Sequence, residues 1–458
     1  MKALPLCVAI PLLLAFDASL HAQPVSKIEL WKHPSYFRGF VISPNVPISQ
    51  QDIIDLKNTG ATLAYVATDG FRSPDSPYSE VTENIDSLDD RVEYCRMAGL
   101  HYAIAVRQGP GRYDVALEGT GQDPPSTIWK NHSEQQLYGS MLREITARYT
   151  SDTLFAGITP TVEPNPFFDS LCCLDTSIFQ YYCKRNGVDL NAITQLWVDS
   201  IRVASADIPI LIQGPGYSNP TIYSLVPIIA DPNIVYEFHD YHPIEYTGAA
   251  DTAQVFYPGT YLDAINGTLE MAQYNKAFIE DTLFYYIEQV EQKTHAPIFM
   301  GEFGMTYPHP GGPQFLADMT SIAIEKGWHF AYFDYWHRPP STRVQAWDYK
   351  DWDPSYWSGI LQSFQQGSDA VKISDDPSLN TLRISYSANG EELHGEWPGT
   401  SGAIVHATIY DLLGRVVKSF DYTSGNFLIG TTNLLPEEYL LILSSGENRA
   451  SSLFSTVR

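Results

Sequence analysis

Ala296-Pro297-Ile298-Phe299-Met300-Gly301-Glu302-Phe303-Gly304 is an apolar run that closes on one carboxylate, with a glycine on each side of it. Ile298 and Phe299 favour a strand, and a strand apolar on both faces marks a buried parallel sheet. A charge at the C-terminal mouth of such a strand is costly to desolvate, so something must use or compensate it. Upstream, Ile158-Thr159-Pro160-Thr161-Val162-Glu163-Pro164-Asn165-Pro166 closes the same way on Glu163. Side chains alternate along a strand, which predicts Ile298 and Met300 on the inward face with Glu302, and Thr159 and Thr161 on the face of Glu163. Pro160 predicts a bulge or an early end to its strand.

Working outward, strand and helix patterns alternate from Tyr36 to about Gln366. The expected strands are Phe37–Ile42, Thr62–Thr68, Tyr102–Arg107, Phe155–Glu163, Pro209–Gln213, Ile234–His239, Pro297–Glu302 and Phe330–Trp336. Helical spacing is read over Gln50–Asn58, over Asn84–Ala98 (Ile85, Leu88, Val92, Met97) and over His132–Tyr149 (Leu137, Met141, Ile145, Tyr149). Gly60, Gly99 and Gly327 stand where left-handed helix caps are expected. Eight strands, most followed by a helix, predict a (β/α)8 TIM barrel, a fold of about 250 residues before insertions. The excess length is assigned to a loop over Asp240–Asn266 and to Asn165–Thr176. In this fold the loops after the strand C-termini hold the site, and both glutamates fall there. After Gln366 the pattern changes to a linker and short alternating runs: Val371–Ser374, Thr381–Tyr386, Ala403–Tyr410, Val416–Tyr422, Tyr439–Ser444 and Ser451–Ser455. These predict a small all-β sandwich. The expected division is a leader over 1–22, a barrel over 23–366, and a linker with a β-sandwich over 367–458.

The 458 residues carry a net charge of −25, which argues against nucleic acid or an anionic membrane as partner. A neutral polymer such as a polysaccharide is compatible with it. Met1-Lys2, the apolar segment Leu4–Phe16 and Ser19-Leu20-His21-Ala22 read as an export signal cut before Gln23. No later stretch is apolar enough to be read as a membrane span. An exported chain meets an oxidising compartment, so Cys95, Cys172, Cys173 and Cys183 are expected as structural disulfides, two bridges at most, or as free thiols. No Cys or His spacing supports zinc.

Two glutamates at one end of a barrel form a carboxylate pair suited to glycoside chemistry. The strand-six stretch Ile234-Val235-Tyr236-Glu237-Phe238-His239-Asp240-Tyr241-His242-Pro243 puts His239 and Tyr241 on one face. A phenol there can hydrogen-bond a nucleophilic carboxylate, and an imidazole can bind a sugar hydroxyl. The rival reading is a metal held by His239, Asp240, His242 and Glu302, but ligands on opposite strand faces converge poorly. Trp336, closing strand eight, offers a flat platform for a sugar ring. Arg107-Gln108-Gly109-Pro110-Gly111 puts polar groups on a glycine-rich turn at the same mouth, without a dinucleotide fingerprint.

With these residues in place, Ser35 to Gln366 resembles the cellulase-like glycoside hydrolases of family five. Arg38-Gly39-Phe40 matches the first strand, Glu163-Pro164 the acid/base motif, His239-x-Tyr241 the strand-six motif, Glu302 the nucleophile and Trp336 the platform. The chain departs from the pattern at three places. Val162 stands where Asn usually precedes the acid/base, the strand-two arginine is replaced near Tyr65, and the strand-three histidine by Arg107. The lost Asn removes a hydrogen bond to the sugar 2-hydroxyl, which Asn165 or Arg107 could supply instead. The resemblance implies a retaining β-glycosidase, endo-acting on a β-linked polysaccharide of β-glucan or mannan type, working without a cofactor. Glu163 is its expected acid/base and Glu302 its nucleophile, oriented by Tyr241; His239 and Trp336 shape the sugar subsite. The alternative is an impaired barrel serving as a cell-surface glycan-binding protein. In the tail, Ala407-Thr408-Ile409-Tyr410-Asp411-Leu412-Leu413-Gly414-Arg415-Val416-Val417 and Leu434-Leu435-Pro436-Glu437-Glu438-Tyr439-Leu440 resemble the sorting domain of type nine secretion in Bacteroidota, an immunoglobulin-like sandwich. That implies a secreted or surface protein handled by secretion machinery. It is expected to be a monomer.

Overall fold

The structure is a computed structural model that describes residues 26–44, 46–114, 124–166, 176–249, 255–265, 268–305, 309–335 and 358–365, and in the tail 383–386, 392–397, 404–411, 416–423, 425–430, 434, 438–445 and 448–455. The proposed leader, Val371–Ser374, Trp336, Cys172 and Cys173 lie outside these residues.

Eight parallel strands close into a barrel: β1 (Arg38–Ile42), β2 (Leu63–Thr68), β3 (His101–Val106), β4 (Phe155–Thr159), β5 (Ile210–Gln213), β6 (Ile234–Asp240), then β9 (Ile298–Phe303) and β10 (His329–Tyr332). β10 pairs with β1 to complete the ring. Each expected barrel strand is present. β4 ends at Thr159, just before Pro160, so Glu163 stands on the loop beyond the strand. The insertion after β6, expected as a loop over Asp240–Asn266, contains an antiparallel hairpin of β7 (Gly259–Ile265) and β8 (Thr268–Tyr274).

The helices follow the apolar spacing with two changes. Met97 and Leu137 are exposed, and Cys95 and Tyr138 take the core positions. Helical geometry explains this: 88, 92 and 95, and 138, 141, 145 and 149, follow the 3.6-residue period, whereas 97 and 137 fall off that face. Ser49 caps the helix Gln50–Asn58 by accepting from the Asp52 backbone. Gly99 (φ 64°) and Gly327 (φ 75°) are left-handed caps. Cys95 is a buried free thiol, so the four cysteines cannot form two bridges.

Two apolar layers result. Between strands and helices pack Ile158, Phe238, Ile298, Met300 and their neighbours. Inside the ring lie Leu63, Tyr65, Ala67, Ala103, Ala105, Leu211, Val235 and Phe299. A short helix before β1, Lys27–Lys32, closes the N-terminal end of the ring. Its Trp31 is buried against Phe37, Phe299 and His329, and its indole N–H donates to the Ala156 carbonyl at 2.9 Å.

This layering corrects the expected face of β9. Phe299 points into the ring, while Ile298 and Met300 pack outward. The pairing of β6 with β9 shows why: Phe238 faces Met300, but His239 faces Glu302, so Gly301 is an extra residue. That bulge reverses the alternation and turns Glu302 inward.

In the tail, β11 (Arg383–Tyr386), β12 (Glu392–Trp397) and β15 (Gly425–Gly430) form one antiparallel sheet. β14 (Val416–Thr423), β13 (Ile404–Asp411), β16 (Glu438–Ser445) and β17 (Asn448–Ser455) form another. β12 and β15 were not among the expected runs.

Candidate active site

The C-terminal ends of β3, β4, β6 and β9 bring Arg107, Glu163, His239, Tyr241 and Glu302 together. One oxygen of each glutamate and one ring nitrogen of His239 all lie within 4.8 Å of one another. Glu302 is buried at the end of β9. Its Oε2 accepts from the Tyr241 hydroxyl at 2.9 Å, and its Oε1 lies 3.4 Å from Arg107 Nη1. Glu163 is less enclosed and accepts from His239 Nδ1 at 2.9 Å. The same nitrogen is 3.5 Å from Glu302 Oε2.

Glu163 is held in a left-handed backbone conformation, φ 50°, unfavourable for a residue with a Cβ. Such strain, about 1–3 kcal/mol, persists only where the surroundings over-determine it. They do so here. The Glu163 N–H donates to Gln213 Oε1 at 2.5 Å, and Arg112 Nη2 donates to the Val162 carbonyl at 3.0 Å. The Tyr138 hydroxyl donates to the Pro160 carbonyl at 3.0 Å.

Arg107 is itself positioned. Its Nε and Nη2 donate to Asp114 at 2.5 and 3.2 Å, leaving Nη1 for Glu302. The guanidinium therefore faces a carboxylate on each side. Asn165 is buried two residues beyond Glu163, and Val162 is buried in the ring interior. Trp336 is not among the described residues.

The electrostatics follow from burial and these partners. Burial pushes the Glu302 carboxyl up; His239 and Arg107 pull it down, the facing Glu163 pushes it up again, and the Tyr241 hydroxyl pulls it down, leaving it raised. Burial lowers the His239 imidazole, but Glu302, Glu163 and Glu237 outweigh that and push it up to about 10.

Beneath the pair lies a group that sequence reading did not assign. Glu237 is fully buried. It accepts from the Tyr65 hydroxyl at 2.6 Å and from the Thr159 hydroxyl at 2.7 Å, and it lies 3.3 Å from His239 Nε2. The signal for it was present: Glu237 precedes His239 by two residues and so shares its face. Asp114 and Gln213 were missed as well. Gln213 becomes visible only when strands distant in sequence are adjacent, whereas Asp114 lies seven residues beyond Arg107, on the turn that folds back onto it.

Glu163, His239 and Glu302 also form a set that could offer three atoms to a cation. Their atoms are already engaged by Tyr241, Arg107 and one another, and a divalent ion on Glu302 would face the Arg107 guanidinium across one carboxylate. The set fits a proton network better than a metal centre. The rival metal set does not assemble: His242 Nδ1 lies 2.9 Å from Asp240 Oδ1, and that pair stands apart from His239 and Glu302.

Glu163 and Glu302 thus form a close carboxylate pair at the C-terminal mouth of an eight-stranded parallel barrel. The family model for cellulase, glycosyl hydrolase family 5, matches residues 33–339. The chain belongs to glycosyl hydrolase family 5. Solved structures share its fold. An endoglucanase from the hyperthermophilic Thermotoga maritima is similar at 15% identity and a TM-score of 0.52, covering 74% of this chain and 100% of that one. A complex of a Thermotoga maritima enzyme with mannotriose is similar at 13% identity and 0.51, covering 73% and 98%. The cellulose synthase subunit Z of Clostridioides difficile is similar at 16% identity and 0.50, covering 72% and 99%. No curated protein matches the chain. The positions on which the sequence resemblance rests, Glu163, His239, Tyr241 and Glu302, converge, and Tyr65, Arg107 and Val162 lie beside them. Tyr65 supports Glu237, Arg107 faces Glu302, and Val162 carries the backbone into Glu163.

Proposed function

We propose that this family 5 glycoside hydrolase is a retaining enzyme that cleaves β-glucan or mannan chains internally by double displacement. The observation that carries the reading is the glutamate separation: oxygens within 4.8 Å suit a nucleophile and an acid/base, which retaining enzymes hold about 5–5.5 Å apart. An inverting pair needs about 6.5–9.5 Å to admit water. Glu302, fed by Tyr241 and Arg107, attacks the anomeric carbon and breaks its bond to the glycosidic oxygen. Glu163 gives its proton to that oxygen. In the second step Glu163 takes a proton from water, which displaces Glu302 with overall retention. His239 and Asn165 line the sugar subsite, Trp336 is assigned to it by the family resemblance alone, and the reaction uses no cofactor.

The β-glucan or mannan preference draws on the family and on the endoglucanase and mannotriose titles of the neighbouring structures. The test is the mature protein against a panel of β-glucans, mannans and xylans, with the anomeric configuration of the first product read by NMR. Newly released β-anomer supports retention, and α-anomer overturns it. Activity that disappears with a chelator would favour a metal-dependent hydrolase.

A second reading has one observation in its favour. Val162, apolar and buried, cannot hydrogen-bond a sugar 2-hydroxyl. A chain that binds the panel polysaccharides without cleaving any would be a surface glycan-binding protein. We further propose that residues 1–22 direct export and that the tail, an immunoglobulin-like sandwich, is a type nine sorting module on a secreted or surface monomer. A chain ending near Gln366 then keeps its activity on soluble substrate but stays in the periplasm of the native host.

A further inference from the structure

The His239 ring is enclosed from four elements. Glu163, on the loop after β4, and Glu302, on β9, lie 2.9 and 3.5 Å from Nδ1. Gln213, on β5, and Glu237, on β6 itself, lie 3.0 and 3.3 Å from Nε2. Arg107 faces the ring's neighbour Glu302 from the turn after β3, and Tyr65 and Thr159 face Glu237 from β2 and β4. The two partners of Nε2 ask for opposite protonation states. The Gln213 amide nitrogen would donate to a neutral ring, whereas the Glu237 carboxylate would accept from a charged one. Hydrogen bonds with an ionised partner are about twice as strong as neutral ones. With Glu163 protonated as the acid, the two ionised carboxylates Glu237 and Glu302 against one neutral amide still favour the charged ring.

We propose that Glu237 is a positioning residue that holds His239 as an imidazolium, so that Nδ1–H is presented to Glu163 and Glu302 from below. Glu237 touches neither substrate nor the reacting atoms. It acts through the ring, and its own place is set by the two hydroxyls and by the absence of a side chain at Gly301, where a Cβ would stand 2.0 Å from Oε1. The upward displacement of the His239 proton affinity agrees with this geometry. The charged ring gives the glutamate pair a fixed cation that does not depend on the sugar. The proposal rests on the reading of Glu163 and Glu302 as the reacting pair.

The experiment is the pH titration of His239 in the full chain, labelled with 15N-histidine, its ring signals assigned by their loss in His239→Gln. In the wild type both ring nitrogens stay protonated past pH 8. In Glu237→Gln, nearly the same in shape but uncharged, the midpoint falls by about one pH unit or more. Its kcat falls more at pH 9 than at pH 6, while KM stays within about twofold. In Glu237→Asp, which keeps the charge, the ring stays protonated past pH 8. A wild-type ring neutral at pH 7, or a midpoint unmoved in Glu237→Gln, overturns the proposal. Should Glu237→Gln fail to fold, the wild-type titration still decides. The ring signals do not depend on turnover, so an inactive barrel with a charged His239 would overturn the hydrolase reading and leave this one standing.

Discussion

The carboxylate of Glu237 occupies the space that a side chain at Gly301 would need: a Cβ there would stand 2.0 Å from Glu237 Oε1. Gly301 is also the extra residue that turns Glu302 into the ring. One position therefore serves both the buried carboxylate and the proposed nucleophile. Gly301→Ala is expected to cost about 1–3 kcal/mol of stability by overpacking. Because the displaced group supports His239, kcat should fall as well. Denaturant unfolding and steady-state kinetics measure the two, and a variant as stable and active as the wild type would show that Glu237 can move freely.

The roles of the two glutamates separate with azide. Glu302→Gly should abolish turnover on every substrate, and azide should restore a product of inverted configuration. Glu163→Ala should spare substrates whose leaving group needs no proton, and there azide should give a retained product. The configurations exchanged between the two variants would mean the roles are reversed.

Arg107 should be felt in the acid limb of the pH profile. It holds the Glu302 carboxyl down against burial, so Arg107→Ala lets that carboxyl rise. The acid limb of kcat/KM then moves to higher pH, and kcat falls about a hundredfold, the scale for losing one charge-stabilising donor. An acid limb that stays in place would confine Arg107 to packing with Asp114.

Stability toward acid should depend on the closed end of the barrel. The His329 Nδ1 accepts from the Phe37 N–H at 3.0 Å, and its Nε2–H donates to the Trp31 carbonyl at 2.6 Å, which leaves no place for a second proton. Burial pushes this ring down to about 3, and His101 down to about 4. A histidine lowered in the folded state contributes stability that is full above about 6.5 and is lost as pH falls toward the folded value. The melting temperature should therefore fall from pH 7 to pH 4, with a smaller slope in His329→Gln. Equal slopes in the two proteins would place the acid sensitivity elsewhere.

The barrel was legible because its evidence is local. Apolar runs such as Ile298–Met300, glycine caps such as Gly99 and helical spacing such as Leu88 and Val92 reflect burial of one face, which short-range patterning records. The pairing of Glu163 with Glu302, and of His239 with Tyr241, followed from strand ends and a two-residue period. Glu237 lay in plain view on the same face as His239. Nothing local, however, distinguishes a buried carboxylate with three partners from one at a solvated edge.

The sequence by itself determined that eight strands and their helices would form a ring with two glutamates at one mouth, since periodicity and strand-end chemistry are properties of the chain. Only the tertiary structure decided which way Glu302 faces. A one-residue bulge reverses every side chain beyond it, and it exists only in the pairing of β9 with β6. The same holds for the charges around the pair. Arg107 with Glu302, and His239 with Glu163 and Gln213, depend on distances between strands far apart in sequence, because the free energy of a buried charge is set by what stands within a few ångströms of it.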